Sequence, residues 1–114
     1  MNTLELAHTI VEALEDKKGE NIILMDLEKV AMFTGYFVIA TGTSDRMLDA
    51  LAEGVIDEVH EKYDIKGRPQ GQAASGWVLV DFGSVIVHCF AQETRDFYKL
   101  EELWKEGKIL LRLQ

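Results

Sequence analysis

Apolar positions along the chain recur with two periods, one near 3.6 and one of 2, and the switches between them divide it into elements. Leu6, Ala7, Ile10, Val11 and Leu14 fall on one stripe of a helix that Thr3 can cap and Gly19 can end. Ile22 to Leu27 is a short apolar run between turn-like residues, and Tyr36 to Ala40 is a second one rich in β-formers, so both read as strands and their order suggests neighbours. Ser44 then caps a longer helix with Leu48, Leu51, Val55, Ile56 and Val59 inward, ending near Lys62. Gly54 interrupts that helix at a cost of up to about 1 kcal/mol relative to Ala. Lys66 to Gly76 holds three glycines, the only proline and no large apolar side chain, which predicts a loop.

The next stretch, Gly76 to Trp104, is the most informative. Trp77 to Phe82 and Val85 to Phe90 read as two strands joined at Gly83-Ser84, with Gly83 supplying the positive φ of a type II′ turn. Phe82 then opposes Val85, Val80 opposes Val87 and Val78 opposes Cys89, so one face is wholly apolar. The other face collects Trp77, Leu79, Asp81, Ile86, His88 and Phe90, mixing aromatics with a carboxylate and an imidazole that plain core would not select. Phe97, Leu100, Leu103 and Trp104 follow at helical spacing, Gly107 can stop that helix, and Ile109-Leu110-Leu111 allows a final strand. The order αββαββα, with or without that strand, predicts an α/β fold with a mixed sheet flanked by helices.

Length and composition narrow the class. The 114 residues suit one domain, 1–114, and bury enough surface to fold without staples. Hydrophobic content of 47% with 28% charged residues is ordinary for a soluble protein, and no apolar run approaches the roughly 18 residues of a membrane span. A single cysteine excludes an internal disulfide, and Cys89 faces the predicted core. The first residues lack a secretory signal, so the expected location is cytoplasmic. Twenty acidic against 12 basic residues leave a net charge of −8. That balance disfavours direct nucleic-acid binding, which draws on Lys and Arg at phosphates, and favours a basic protein as partner.

Candidate chemistry is sparse. Ala40 to Asp45 follows a strand and opens a helix, a place where backbone N–H groups can receive an anion, yet it lacks the Lys of a P-loop and Asp45 would repel phosphate. With Asp81 on a later strand, the Gly42/Ser44 turn is also similar to nucleotidyltransferases, which makes a nucleotide-binding or nucleotidyl-transferring enzyme the alternative function. The carboxylate pair is incomplete, because Gly83 occupies the alternate position after Asp81. His8, His60 and His88 sit on three different elements without metal-ligand spacing, so neither metal nor cofactor is expected. His88 can pair with Asp81, and Cys89 cannot use His88 as a base because adjacent strand residues point to opposite faces. In Arg95 to Trp104, Phe97, Leu100 and Trp104 suit the core, whereas Tyr98 and Trp104 beside Trp77, Phe90 and Arg95 have the composition of a binding hot spot. Such a face also allows a homodimer.

Three ordered blocks closely resemble the ribosomal silencing factor family, also called Iojap-like: Gly76-Trp77-Val78-Leu79-Val80-Asp81, Val87-His88-Cys89-Phe90, and Arg95-Asp96-Phe97-Tyr98-Lys99-Leu100-Glu101-Glu102-Leu103-Trp104. Tyr36 to Gly42, with the helix start after Ser44, is similar to the family's other signature. The resemblance implies a nucleotidyltransferase-like α/β fold without catalytic carboxylates. It further implies a factor that binds the large ribosomal subunit through ribosomal protein fourteen, a basic protein, blocks joining of the small subunit and lowers translation when nutrients are scarce. Carried over by position, the implied contact residues are Trp77, Asp81, His88, Phe90, Arg95, Tyr98, Leu100 and Trp104. Gly35, Met47 and Ser84 depart from the family pattern and leave the aromatic face intact.

Overall fold

The structure, a computed structural model, describes residues 2–32 and 34–113. Met1 and Gln114, the ends of the predicted domain, lie outside the described residues, as does Phe33. Helix α1 (Thr3–Asp16) buries the predicted stripe, but its cap is Asn2, whose side-chain oxygen accepts the Glu5 N–H at 2.8 Å. Thr3 is the first helical residue instead. After α1 the chain turns through Lys18, at φ 68, and the Gly19 N–H donates to the Leu14 carbonyl at 2.8 Å. Strands β1 (Glu20–Asp26) and β2 (Tyr36–Thr41) are neighbours, as their order suggested, and pair antiparallel. Helix α2 (Asp45–Tyr63) starts where expected, with the Ser44 hydroxyl accepting the Met47 N–H at 3.0 Å.

The segment predicted as a loop contains a strand. β3 (Arg68–Gln72) pairs antiparallel with β4 (Trp77–Asp81), and a 3₁₀ turn at Ala73–Ser75 joins them. All five β3 residues are exposed, so the strand buries no side chain and leaves no alternation to read. It lies at the sheet edge, where Pro69 is tolerated. β4 and β5 (Val85–Phe90) form the predicted hairpin in the predicted register, with Gly83 at φ 84. The single helix expected beyond it is broken into α3 (Gln92–Tyr98) and α4 (Leu100–Leu103) by Lys99 at φ 49. Phe97 therefore leaves the stripe it was expected to share with Leu100 and lies 80% exposed. The final strand forms as β6 (Lys108–Leu113).

The sheet order is β3-β4-β5-β2-β1-β6, with β2 and β5 parallel and every other pair antiparallel. One face packs Ile22, Leu24, Val38, Ala40, Val78, Val80, Val87 and Cys89 against α1 and α2. The other carries a second cluster of Ile23, Met25, Leu27, Phe37, Ile39, Phe90 and Leu100, with Trp77, Ile86 and Trp104 at its margin. The face expected to differ from core is thus core over part of its area.

Candidate functional site

The strand registers arrange that second face in three rows. Nearest the hairpin turn run Arg68, Asp81, Ile86, Phe37, Met25 and Ile109; the middle row is Gln70, Leu79, His88, Ile39, Ile23 and Arg112. The far row is Gln72, Trp77, Phe90, Thr41 and Glu20. The α3–α4 segment covers the face in part, from the far row toward the turn. Arg95 reaches Thr41 in the far row, Tyr98 lies tilted against Trp77 with ring centres 4.8 Å apart, and Trp104 meets Phe37 edge-on at 6.0 Å. The approach is close at Gly76, at φ 82, where a Cβ would collide with the Thr94 hydroxyl.

This covering divides the eight residues that the resemblance pointed to. His88, Phe90, Arg95 and Leu100 are buried, whereas Trp77, Asp81 and Trp104 are half-buried and Tyr98 is 47% exposed. Arg95 does not join the aromatic patch. Its guanidinium turns inward, one Nη1 donating to the Asn21 carbonyl at 2.7 Å and to the Thr41 hydroxyl at 2.8 Å while Nε donates to Glu101 at 3.3 Å. Asn21 is at φ 48 where β1 breaks register with β2, so a distorted strand presents its carbonyl to α3.

His88 does not pair with Asp81. The Trp77 indole N–H donates to His88 Nδ1 at 3.2 Å, which leaves Nδ1 unprotonated and the ring neutral with its proton on Nε2. Nε2 is buried and has no hydrogen-bond partner among the described residues. Phe37 stands edge-on to the imidazole at 4.5 Å and Phe90 lies parallel to it at 6.0 Å. Burial among these rings lowers the His88 pKa from 6.5 to about 4, so the ring stays neutral at physiological pH. On the opposite face burial pushes the Cys89 thiol up to about 12, the state of an inert core residue.

Asp81 is organised by its own hairpin. One oxygen accepts the Gly83 N–H at 2.7 Å, and the other accepts from Arg68 Nη2 at 3.3 Å. Around it lies the uncovered part of the face, Trp77, Leu79, Asp81 and Ile86, all half-buried, with Tyr98 along one side. A hollow of about 240 Å³ beside it is lined by Gln70, Gly71, Ser75, Trp77 and Leu79. Leu79 and Ile86 belong to this area although the resemblance did not single them out; the period-2 pattern had already set them on the mixed face. Arg68 and Gln70 had no such signal, because they fall in the segment read as a loop.

The alternative pairing of Gly42/Ser44 with Asp81 does not form one site. β4 runs antiparallel to β5, which is parallel to β2, so Asp81 aligns with Phe37 at one end of β2 while Gly42 follows the other end. Five residues of strand separate those levels, about 16 Å. The Gly42 turn lines a cleft with Glu20, Asp45 and Glu93, three carboxylates that oppose an anion.

Residues 1–112 match the family described as ribosomal silencing factor during starvation. The ribosomal silencing factor RsfS of Bacillus subtilis is 33% identical over 109 residues, covering 96% of this chain and 92% of that protein. The crystal structure of protein CV0518 from Chromobacterium violaceum superposes with a TM-score of 0.87 at 37% identity, covering 92% of this chain and 88% of that one. A mouse protein named mitochondrial assembly of ribosomal large subunit protein 1 is 32% identical over 99 residues, covering 83% of this chain and 43% of that protein.

Proposed function

This chain belongs to the ribosomal silencing factor family, whose role is to silence translation at the ribosome, and we propose that it does so by docking on the large subunit through the open part of its sheet. The partner surface is ribosomal protein fourteen, a basic protein, and the seated factor blocks joining of the small subunit in the cytoplasm. The observation that carries this reading is the composition of the uncovered area. Trp77, Leu79, Ile86 and Tyr98 offer apolar anchors around one carboxylate that its hairpin holds in a fixed orientation. Aromatic anchors supply affinity, and Asp81 on a chain of net charge −8 supplies complementarity to a basic surface.

Trp77, Asp81, Tyr98 and Trp104 are then contacts, joined by Leu79 and Ile86, while His88, Phe90, Arg95 and Leu100 support them from below. Engagement through this face turns α1 and α2 outward. A body of 32 × 32 × 24 Å seated there holds a second particle off the surface. The shortened helix leaves Phe97 and Leu103 exposed on the same covering segment, and Phe97, with its ring 5.0 Å from that of Tyr98, extends the apolar area there. The reading needs no reaction, metal or cofactor.

Co-sedimentation of the folded Trp77→Ala, Tyr98→Ala variant with isolated large subunits tests it. Truncating a central aromatic anchor is expected to weaken binding by about 2 kcal/mol or more. Wild-type affinity in the double variant would show that the factor docks elsewhere. In parallel, wild-type protein should sediment with free large subunits and not with assembled ribosomes, in which the joining surface is covered.

A further inference from the structure

We propose that Arg68 is an internal competitor for Asp81, the carboxylate that meets the partner, and that it sets which cationic side chains the docking face accepts. The inference rests on the docking reading above. Arg68 stands directly across from Asp81 in the β3–β4 ladder and donates Nη2 to Oδ2 at 3.3 Å. The two members are unequally covered, with the Arg68 side chain 74% exposed and that of Asp81 only 23%. Asp81 does not need Arg68 to hold its orientation, because Oδ1 accepts the Gly83 N–H at 2.7 Å. The turn aims the carboxylate, and Arg68 occupies the remaining oxygen from the solvent side.

A solvated pair of this kind is weak and exchanges readily. A lysine or arginine carried in on the partner surface meets the same oxygen beside Ile86, the row neighbour of Asp81, with water excluded by the contact. Its attraction to the carboxylate is stronger there than that of a solvated guanidinium. The partner cation therefore displaces Arg68, which swings out on its exposed stem. A partner without a cation at that position leaves the Arg68 pair in place and gains nothing from Asp81. A loosely held rim lysine gains too little to displace it. Arg68 thus raises the threshold for recognition at the price of some affinity for the right partner.

Binding to isolated large ribosomal subunits is measured for Arg68→Ala, Asp81→Asn and the double variant, with Arg46→Ala, an exposed residue in the first turn of α2, as a control for the same change of net charge. Asp81→Asn removes the charge and retains an amide oxygen for the Gly83 N–H. Arg68→Ala should tighten binding by about two- to five-fold beyond the Arg46→Ala control, the range of an exposed pair. Asp81→Asn should weaken it, and adding Arg68→Ala to Asp81→Asn should have no effect beyond the control. Weaker or unchanged binding in Arg68→Ala, or equal tightening in the Asp81→Asn background, overturns the proposal. The two readings fail differently. If Trp77→Ala, Tyr98→Ala binds like wild type, the docking face is wrong and this inference falls with it; if that variant loses binding while Arg68→Ala does not tighten it, only the role of Arg68 falls.

Discussion

His88 is neutral because the surrounding rings deny its charged form water, and that neutrality orients Trp77. A protonated ring would carry N–H on both nitrogens and could no longer accept the indole N–H. The folded-state pKa lies at about 4 against 6.5 when unperturbed, so between those values the unfolded chain binds the proton more readily. The stability tied to the neutral ring is full above about pH 6.5 and is lost as pH falls toward about 4. Urea unfolding of wild type should therefore lose stability more steeply over that window than His88→Phe, by a slope equivalent to at most about one proton. Equal slopes would remove His88 from the acid response. In the folded protein the indole bond to Nδ1 is lost only as His88 itself protonates, so the fluorescence of Trp77 should change near pH 4 and not between there and about pH 6.5.

The α3–α4 segment is held by apolar packing of Leu100 and Trp104 together with one buried guanidinium. Two short helices separated by a left-handed Lys99 have too few residues to be stable by themselves, and Arg95 ties them to β1, β2 and Glu101. Arg95→Met keeps much of the stem but strands the Asn21 carbonyl, the Thr41 hydroxyl and the Glu101 carboxylate. The expected cost is about 2 kcal/mol or more, with hydrogen exchange accelerating first in residues 92–104. Binding to large subunits should weaken as well, since Tyr98 loses its position beside Trp77. Unchanged exchange in 92–104 would show that apolar packing by Leu100 and Trp104 alone holds the segment. This inward role was hidden in the sequence, where an Arg next to aromatics reads equally as a contact. Helical spacing placed Leu100 on the core correctly and Phe97 wrongly, because spacing carries through a helix break that only the backbone at Lys99 reveals.

For the whole molecule, the net charge of −8 acts on encounter more than on the bound state. Association with a basic subunit surface should slow by about tenfold or more as ionic strength rises from about 0.05 to 0.3 M, with a smaller change in dissociation. Stopped-flow or surface-based kinetics over that range separates the two rates. An association rate indifferent to salt would leave the acidic surface without a part in recognition. On the docking proposal, the basic partner meets Asp81 by displacing Arg68 from it.

The two helical stripes, the strand runs and the Gly83 hairpin were all legible in the sequence, because each is a local period or a turn that one residue type dictates. So were the acidity of the chain and the unusual composition of one hairpin face. Tertiary structure alone decided how that face is shared between fold and surface. The parallel pairing of β2 with β5 brings Thr41 beside Phe90, where Arg95 can clasp the sheet from α3 and leave Trp77, Leu79, Asp81 and Ile86 less covered. The antiparallel return of β4 puts Asp81 and Gly42 at opposite ends of the sheet, and β3 exists only through the backbone ladder that β4 offers. Periodicity states which side of an element is apolar; which neighbour covers that side, and how far, follows from contacts between segments distant in the chain.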